Sequence, residues 1–177
     1  MIIDLDTAQN FKVDVTQEEL NGLEEVIRAY TNNNFQVRNV RLEDVAFTSS
    51  SSITSPDSTL GFKKGNTIQV SNDKYNNGLY FIEAVEDNGL TFETDSFIPH
   101  KATDTLVTLV KYPADILFGV QKLLKYSAKM DDKIGVKSES ISRMSKTYYD
   151  VNATENIEGY PAALMTFLNK YKKLRWS

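Results

Sequence analysis

With 177 residues, 41% hydrophobic and 25% charged, the chain has the composition of a globular protein able to bury a core of its own. Its net charge of −4 argues against a protein that grips nucleic acid through its overall field. The absence of cysteine excludes disulfides and thiolate metal sites, and no window approaches the roughly 18 uninterrupted apolar residues of a membrane span. The opening, Met1 to Asp14, carries Asp4, Asp6 and Asp14 and no basic apolar run, so it does not read as a secretory signal. The expectation is a soluble, intracellular chain.

The first strong element is a helix opened by Thr16-Gln17-Glu18-Glu19, a capping box in which Thr16 and Glu19 satisfy each other's backbone amides. Val15 and Leu20 are placed as its hydrophobic staple, and Leu20, Leu23, Ile27 and Tyr30 form an apolar stripe. Glu18, Glu19, Glu24 and Glu25 lie toward its start and Arg28 toward its end, which suits the helix dipole. Thr31-Asn32-Asn33-Asn34 stops it.

From about Phe47 to Tyr112 the pattern changes. Ser49 to Ser52 and Ser55-Pro56-Asp57-Ser58 read as loop. Strands are expected at 67–70, 79–85, 90–94 and 106–110, with Asn88-Gly89 as a two-residue hairpin turn and Asn76-Asn77-Gly78 as a second turn. Short strands with tight turns predict an antiparallel sheet curled into a barrel or sandwich. Helical periodicity returns at Pro113 with Ile116, Leu117, Val120, Leu123, Leu124 and Met130, and Gly135 follows as a stop. A last helix is expected from Pro161, with Leu164, Phe167, Leu168, Tyr171 and Leu174 on one side and a basic end at Lys170, Lys172, Lys173 and Arg175, before Trp176. The outline is α+β: a small bundle of three main helices, residues 1–46 and 112–177, with an inserted antiparallel β-domain over 47–111.

Between the last two helical patterns lies a segment long for a helix–helix connection, Lys137-Ser138-Glu139-Ser140-Ile141-Ser142-Arg143-Met144-Ser145-Lys146-Thr147-Tyr148-Tyr149. It is strand-capable but polar, and finds few partners in a small domain. A second copy could supply them, since an extended segment adds to an exposed sheet edge. The bland alternative is a solvated hairpin.

Catalytic patterns are missing. His100 is the only histidine, beside Pro99 and Lys101, and reads as an exposed loop residue. No Gly-x-Ser-x-Gly elbow, phosphate loop or dinucleotide fingerprint occurs. Asp131-Asp132 and Glu18-Glu19 are adjacent carboxylates that do not face each other on a helix. Asp87-Asn88-Gly89 reads as a turn rather than part of a calcium loop. No enzyme activity, cofactor or metal is expected.

The stretch Gly135 to Tyr148 resembles the S-E-S-(I/V)-x-x-x-S-x-x-Y segment of phage head–tail connector proteins, the adaptors beneath the portal of long-tailed phages. The helices on either side of it, and the Thr16–Tyr30 helix ending in Tyr30-Thr31, occupy the places that family would give them. The resemblance covers 14–45 and 112–176; the segment from Phe47 to Tyr112 departs from the smallest members. Within that segment, Gly65-Asn66-Thr67-Ile68-Gln69-Val70 and Tyr75-Asn76-Asn77-Gly78-Leu79-Tyr80 are similar to small β-modules of phage structural proteins.

The resemblance implies a structural virion protein at the head–tail junction, present in host cytoplasm during assembly. It implies a homo-oligomeric ring, usually twelvefold, docked on the portal and touching neighbouring neck or tail proteins, with DNA passing through its channel without specific binding and no membrane contact. Ser138, Glu139, Ile141, Ser142, Met144, Ser145 and Tyr148 are then the candidate subunit or portal interface, with Ile141, Met144 and Tyr148 as apolar anchors. Tyr171, Lys173, Arg175 and Trp176 are candidates for portal docking. Two alternatives stay open: another neck or tail structural protein, and a small DNA-binding module using the basic C-terminal helix, whose affinity would fall steeply with salt.

Overall fold

The computed structural model describes residues 1–130 and 156–174, together with the backbone of 138–141 and 144–147. The residues fall into two compact units, Met1 with Asn34–Lys111 and Ile2–Asn33 with Tyr112–Ser177. Asp131-Asp132, Gly135, Ser142, Tyr148, Arg175 and Trp176 lie outside the described residues.

The first unit is one antiparallel sheet of eight strands: β1 (Gln36–Leu42), β2 (Ala46–Phe47), β3 (Ser52–Thr54), β4 (Thr67–Ser71), β5 (Gly78–Glu86), β6 (Gly89–Phe92), β7 (His100–Lys101) and β8 (Leu106–Val110). Their order is β1-β8-β4-β5-β6-β3-β2-β7. The sheet is open, ending at β1 and β7, and this overturns the expected barrel or sandwich. The four strands read from the sequence lie at β4, β5, β6 and β8. The others carry no readable alternation for physical reasons. In β1 the core-facing Val37, Val40 and Leu42 are spaced by three and then two, because the pairing with β8 shifts register between Gln36 and Arg41. β2, β3 and β7 are only two or three residues long, too short for a period of two to declare itself.

The sheet's core is Leu42, Val45, Phe47, Ile53, Ile68, Val70, Ile82, Leu90, Phe92 and Val107. Phe97, from a non-strand segment, packs among three rings at centroid distances of 5.0 Å (Phe47), 4.6 Å (Tyr80) and 5.4 Å (Phe92), all edge-on or nearly so. The β5–β6 hairpin turns at Asp87-Asn88, with Glu86 opposite Gly89. Asn88-Gly89 is therefore not the two-residue turn expected, and neither residue has the positive φ that such a turn favours. Gly89 is needed for another reason: a Cβ there would lie 2.7 Å from the Ile53 carbonyl oxygen on the adjacent strand.

The second unit contains α1 (Leu5–Gln9), α2 (Gln17–Thr31), α3 (Ala114–Met130) and α4 (Ala162–Met165), followed by a 3₁₀ helix at Thr166–Tyr171. Its short ladders are β9 (Ser138–Ile141) with β10 (Met144–Thr147), and β11 (Asn156–Ile157) with β12 (Tyr160–Pro161). Thr16 caps α2 with both halves of the capping box made, and left-handed Asn32 ends it. Leu20, Leu23 and Ile27 are buried on α2, and Ile116, Val120, Leu123 and Leu124 on α3.

The expected three-helix bundle with an insert is also overturned. Eight strands dominate the described chain, and the helix expected from Pro161 is one α-turn continued by 3₁₀ structure. Its buried residues, Met165 and Leu168, recur every three positions, the period of a 3₁₀ helix. Pro161 belongs to β12 and supplies no side-chain cap. Leu174, expected on the apolar side of that helix, is 79% exposed.

Glu24, one of the acids toward the start of α2, is 3% exposed. Its Oε1 accepts from the Tyr112 hydroxyl at 2.8 Å and its Oε2 from the Ile2 amide at 3.2 Å. Burial first, and the Glu24 charge second, push the Tyr112 phenol well above its ordinary pKa, so it stays a donor.

Gly119 is where α3 meets the 3₁₀ segment: a Cβ there would lie 2.3 Å from the Phe167 ring. Gly119→Ala should therefore destabilise the protein by about 1–3 kcal/mol through overpacking, and adding Phe167→Leu should recover part of the loss. Urea unfolding measures both. An unchanged midpoint in Gly119→Ala would contradict this packing.

Candidate functional site

The polar segment singled out in the sequence forms strands β9 and β10. They pair in strict antiparallel register, with Ile141 opposite Met144, Ser140 opposite Ser145, Glu139 opposite Lys146 and Ser138 opposite Thr147. Among the described residues this ladder is a sheet by itself, with no third strand. Each strand of such a ribbon satisfies one set of its backbone groups and leaves the other on an open edge. A lone two-stranded ribbon is marginal in water and gains from a further strand or a packed face. The candidate residues Ser138, Glu139 and Ile141 therefore lie on β9, and Met144 and Ser145 on β10.

The other candidate cluster is partly engaged within its own unit. The Tyr171 hydroxyl donates to Asp115 Oδ1 at 2.5 Å, and the Lys170 ammonium meets Asp115 Oδ2 at 2.6 Å. The Lys170 contact first, then the Tyr171 hydroxyl, lower the Asp115 pKa. Lys172 Nζ stands 3.8 Å from the Tyr30 ring centroid, and the Tyr30 hydroxyl donates to Asn169. The Lys173 amide donates to the Thr31 carbonyl at 2.8 Å, while the Asn33 side chain donates to the Tyr171 carbonyl. This end of the chain is clamped on the last turn of α2. Of its described cations, Lys170 and Lys172 already have partners, and Tyr171 has its hydroxyl engaged.

His100 lies on edge strand β7 rather than in a free loop. Its Nδ1 donates to the Ile98 carbonyl at 2.9 Å, its Nε2 faces Asp73 Oδ2 at 3.0 Å, and its ring stacks on Phe47. The Asp73 side chain, 1% exposed, also accepts from the amides of Tyr75 and Asn76 and from the Thr105 hydroxyl. Thr105 thus meets the carboxylate and not the imidazole, so the arrangement activates no nucleophile. It is a pin that fixes the loop between β4 and β5.

Residues of the stretch 65–80 serve the same end. The Asn76 side chain donates to the Ile98 carbonyl and accepts from the Ile98 amide, as a strand neighbour would. The Tyr80 hydroxyl donates to the Asn76 carbonyl, and Gly65 turns with φ +83°. Sequence reading found Asn76-Asn77-Gly78 as a turn but missed Asp73, whose place two residues before the Tyr75 amide was the available signal.

Among the described residues, no group of three or more acidic or histidine side chains is placed to hold a metal, and no helix is long and apolar enough to cross a membrane. No family model matches the chain, and no curated protein matches it.

Burial alone would raise the Asp73 carboxyl, but the amides of Tyr75 and Asn76, the Thr105 hydroxyl and the His100 charge outweigh it and lower its pKa. Its stabilisation is therefore present above the ordinary aspartate range and lost as pH falls through the depressed folded value. Asp73→Asn should cost about 1–3 kcal/mol at neutral pH and flatten the acid limb of the stability curve. Chemical denaturation from pH 7 to pH 2 measures both, and an unaltered acid limb would contradict the assignment.

Proposed function

We propose that this chain is a structural subunit of a phage particle, a head–tail connector whose copies assemble through the β9–β10 ribbon into a ring beneath the portal. The observation that carries the reading is the two-strand ladder formed by the segment that resembles the connector motif, with no third strand among the described residues. A ribbon of this kind gains its missing backbone partners when a neighbouring copy or the portal adds a strand. In a ring each subunit offers one surface to the next copy and the complementary surface to the previous one, a heterologous contact that closes. The net charge of −4 also suits a channel through which DNA slides, since a strong grip on phosphate would impede passage.

Native mass spectrometry of the purified chain, alone and mixed with portal rings, tests the reading. A stoichiometric ring-on-ring complex is expected, and its mass counts the subunits. Ile141→Asp combined with Met144→Asp should abolish that complex while leaving the circular dichroism spectrum of the monomer unchanged. A lone monomer in both mixtures overturns the proposal. A folded double variant that still assembles removes the ribbon from it.

A further inference from the structure

The assembly reading leaves open which other surfaces meet, and the helices carry two that match. On α3, Phe118, Lys122, Lys125 and Lys129 recur at spacings of four, three and four, one stripe of the helix, and all four are exposed. Phe118 is 57% exposed, with Lys122 Nζ 4.4 Å from its ring centroid. No ion pair of these lysines occurs among the described residues. The only acid of α3 is Asp115, which is held by Lys170.

On α2 the outward stripe is Glu18, Gly22, Glu25 and Ala29, again exposed throughout. Glu18 and Glu25 make no ion pair among the described residues. Gly22 has no internal reason to be glycine: an added Cβ would meet nothing within 4 Å, and its φ is ordinary. A glycine inside a helix weakens it relative to alanine. Here it leaves a shallow notch between two unpaired carboxylates.

We infer that the Phe118 stripe of α3 docks on the Gly22 stripe of α2 in a second copy of this chain. The two helices run antiparallel, so that Lys122 meets Glu25, Lys129 meets Glu18 and the Phe118 ring lies on Ala29. The spacing agrees, since Lys122 to Lys129 and Glu18 to Glu25 are each seven residues, about 10.5 Å of helix. Both stripes are on every copy and neither is self-complementary, so the contact is heterologous and propagates around a ring. The inference rests on the assembly reading and adds a second contact to the strand ribbon.

Charge reversal tests it, read by sedimentation velocity and native mass spectrometry of the full chain, alone and with portal rings. Lys122→Glu with Lys129→Glu should weaken assembly about tenfold or more, and Glu18→Lys with Glu25→Lys should do the same. The four changes together should restore assembly to near the parent level. Phe118→Ala, a change at an exposed position, should weaken it without altering the fold. Assembly indifferent to either one-sided reversal, or not restored by the four changes together, overturns this contact and leaves the ribbon proposal standing. A parent chain that never assembles overturns both.

Discussion

The second unit is built from two stretches of sequence separated by the whole of Asn34–Lys111, and a buried carboxylate joins them. Glu24 comes from α2, yet its two oxygens take the Ile2 amide from one stretch and the Tyr112 hydroxyl from the other. A carboxylate removed from water costs several kcal/mol unless its acceptors are filled, so the site enforces its own completion. The raised phenol of Tyr112 keeps that hydroxyl a donor at any pH the protein meets. With α2 fixed there, its C-terminal turn receives the last described residues through Thr31, Asn32 and Asn33. The exposed side of the same helix stays free to face another molecule.

The sheet obeys a comparable rule with different parts. Its loops are held by side chains that copy backbone geometry: Asp73 capping two amides, and Asn76 standing in for a strand beside Ile98. Such residues look like turn formers in a sequence because locally they are. Their long-range partners, Thr105 and His100 for Asp73, follow only from the fold.

Legibility followed periodicity. The capping box and the stripe of α2 were readable because each signal spans only a few residues, and β4, β5, β6 and β8 were readable because they are rich in apolar and β-branched residues beside clear turn signals. The bulge in β1 put its core residues out of phase, and the brevity of β2, β3 and β7 hid them, so one open eight-stranded sheet was taken for a smaller closed one. The final helix failed because Leu164, Phe167, Leu168 and Tyr171 have α-helical spacing, whereas the residues buried there, Met165 and Leu168, are three apart. At the candidate site, the strand character of Ser138–Ile141 and Met144–Thr147 was legible as a polar, strand-capable stretch. The engagement of Tyr171 and Lys170 with Asp115 was not, since it depends on where the 3₁₀ turn meets α3.

The proposed assembly uses backbone groups that lie at an open edge among the described residues, and helix faces of opposite charge. Hydrogen–deuterium exchange across Ser138–Thr147, in the isolated chain and in its assembled form, tests the first of these most directly. Fast exchange is expected at the outer amides of β9 or β10 in the isolated chain, and strong protection of that edge on assembly. Equal exchange in the two states, with assembly verified by mass, would contradict it.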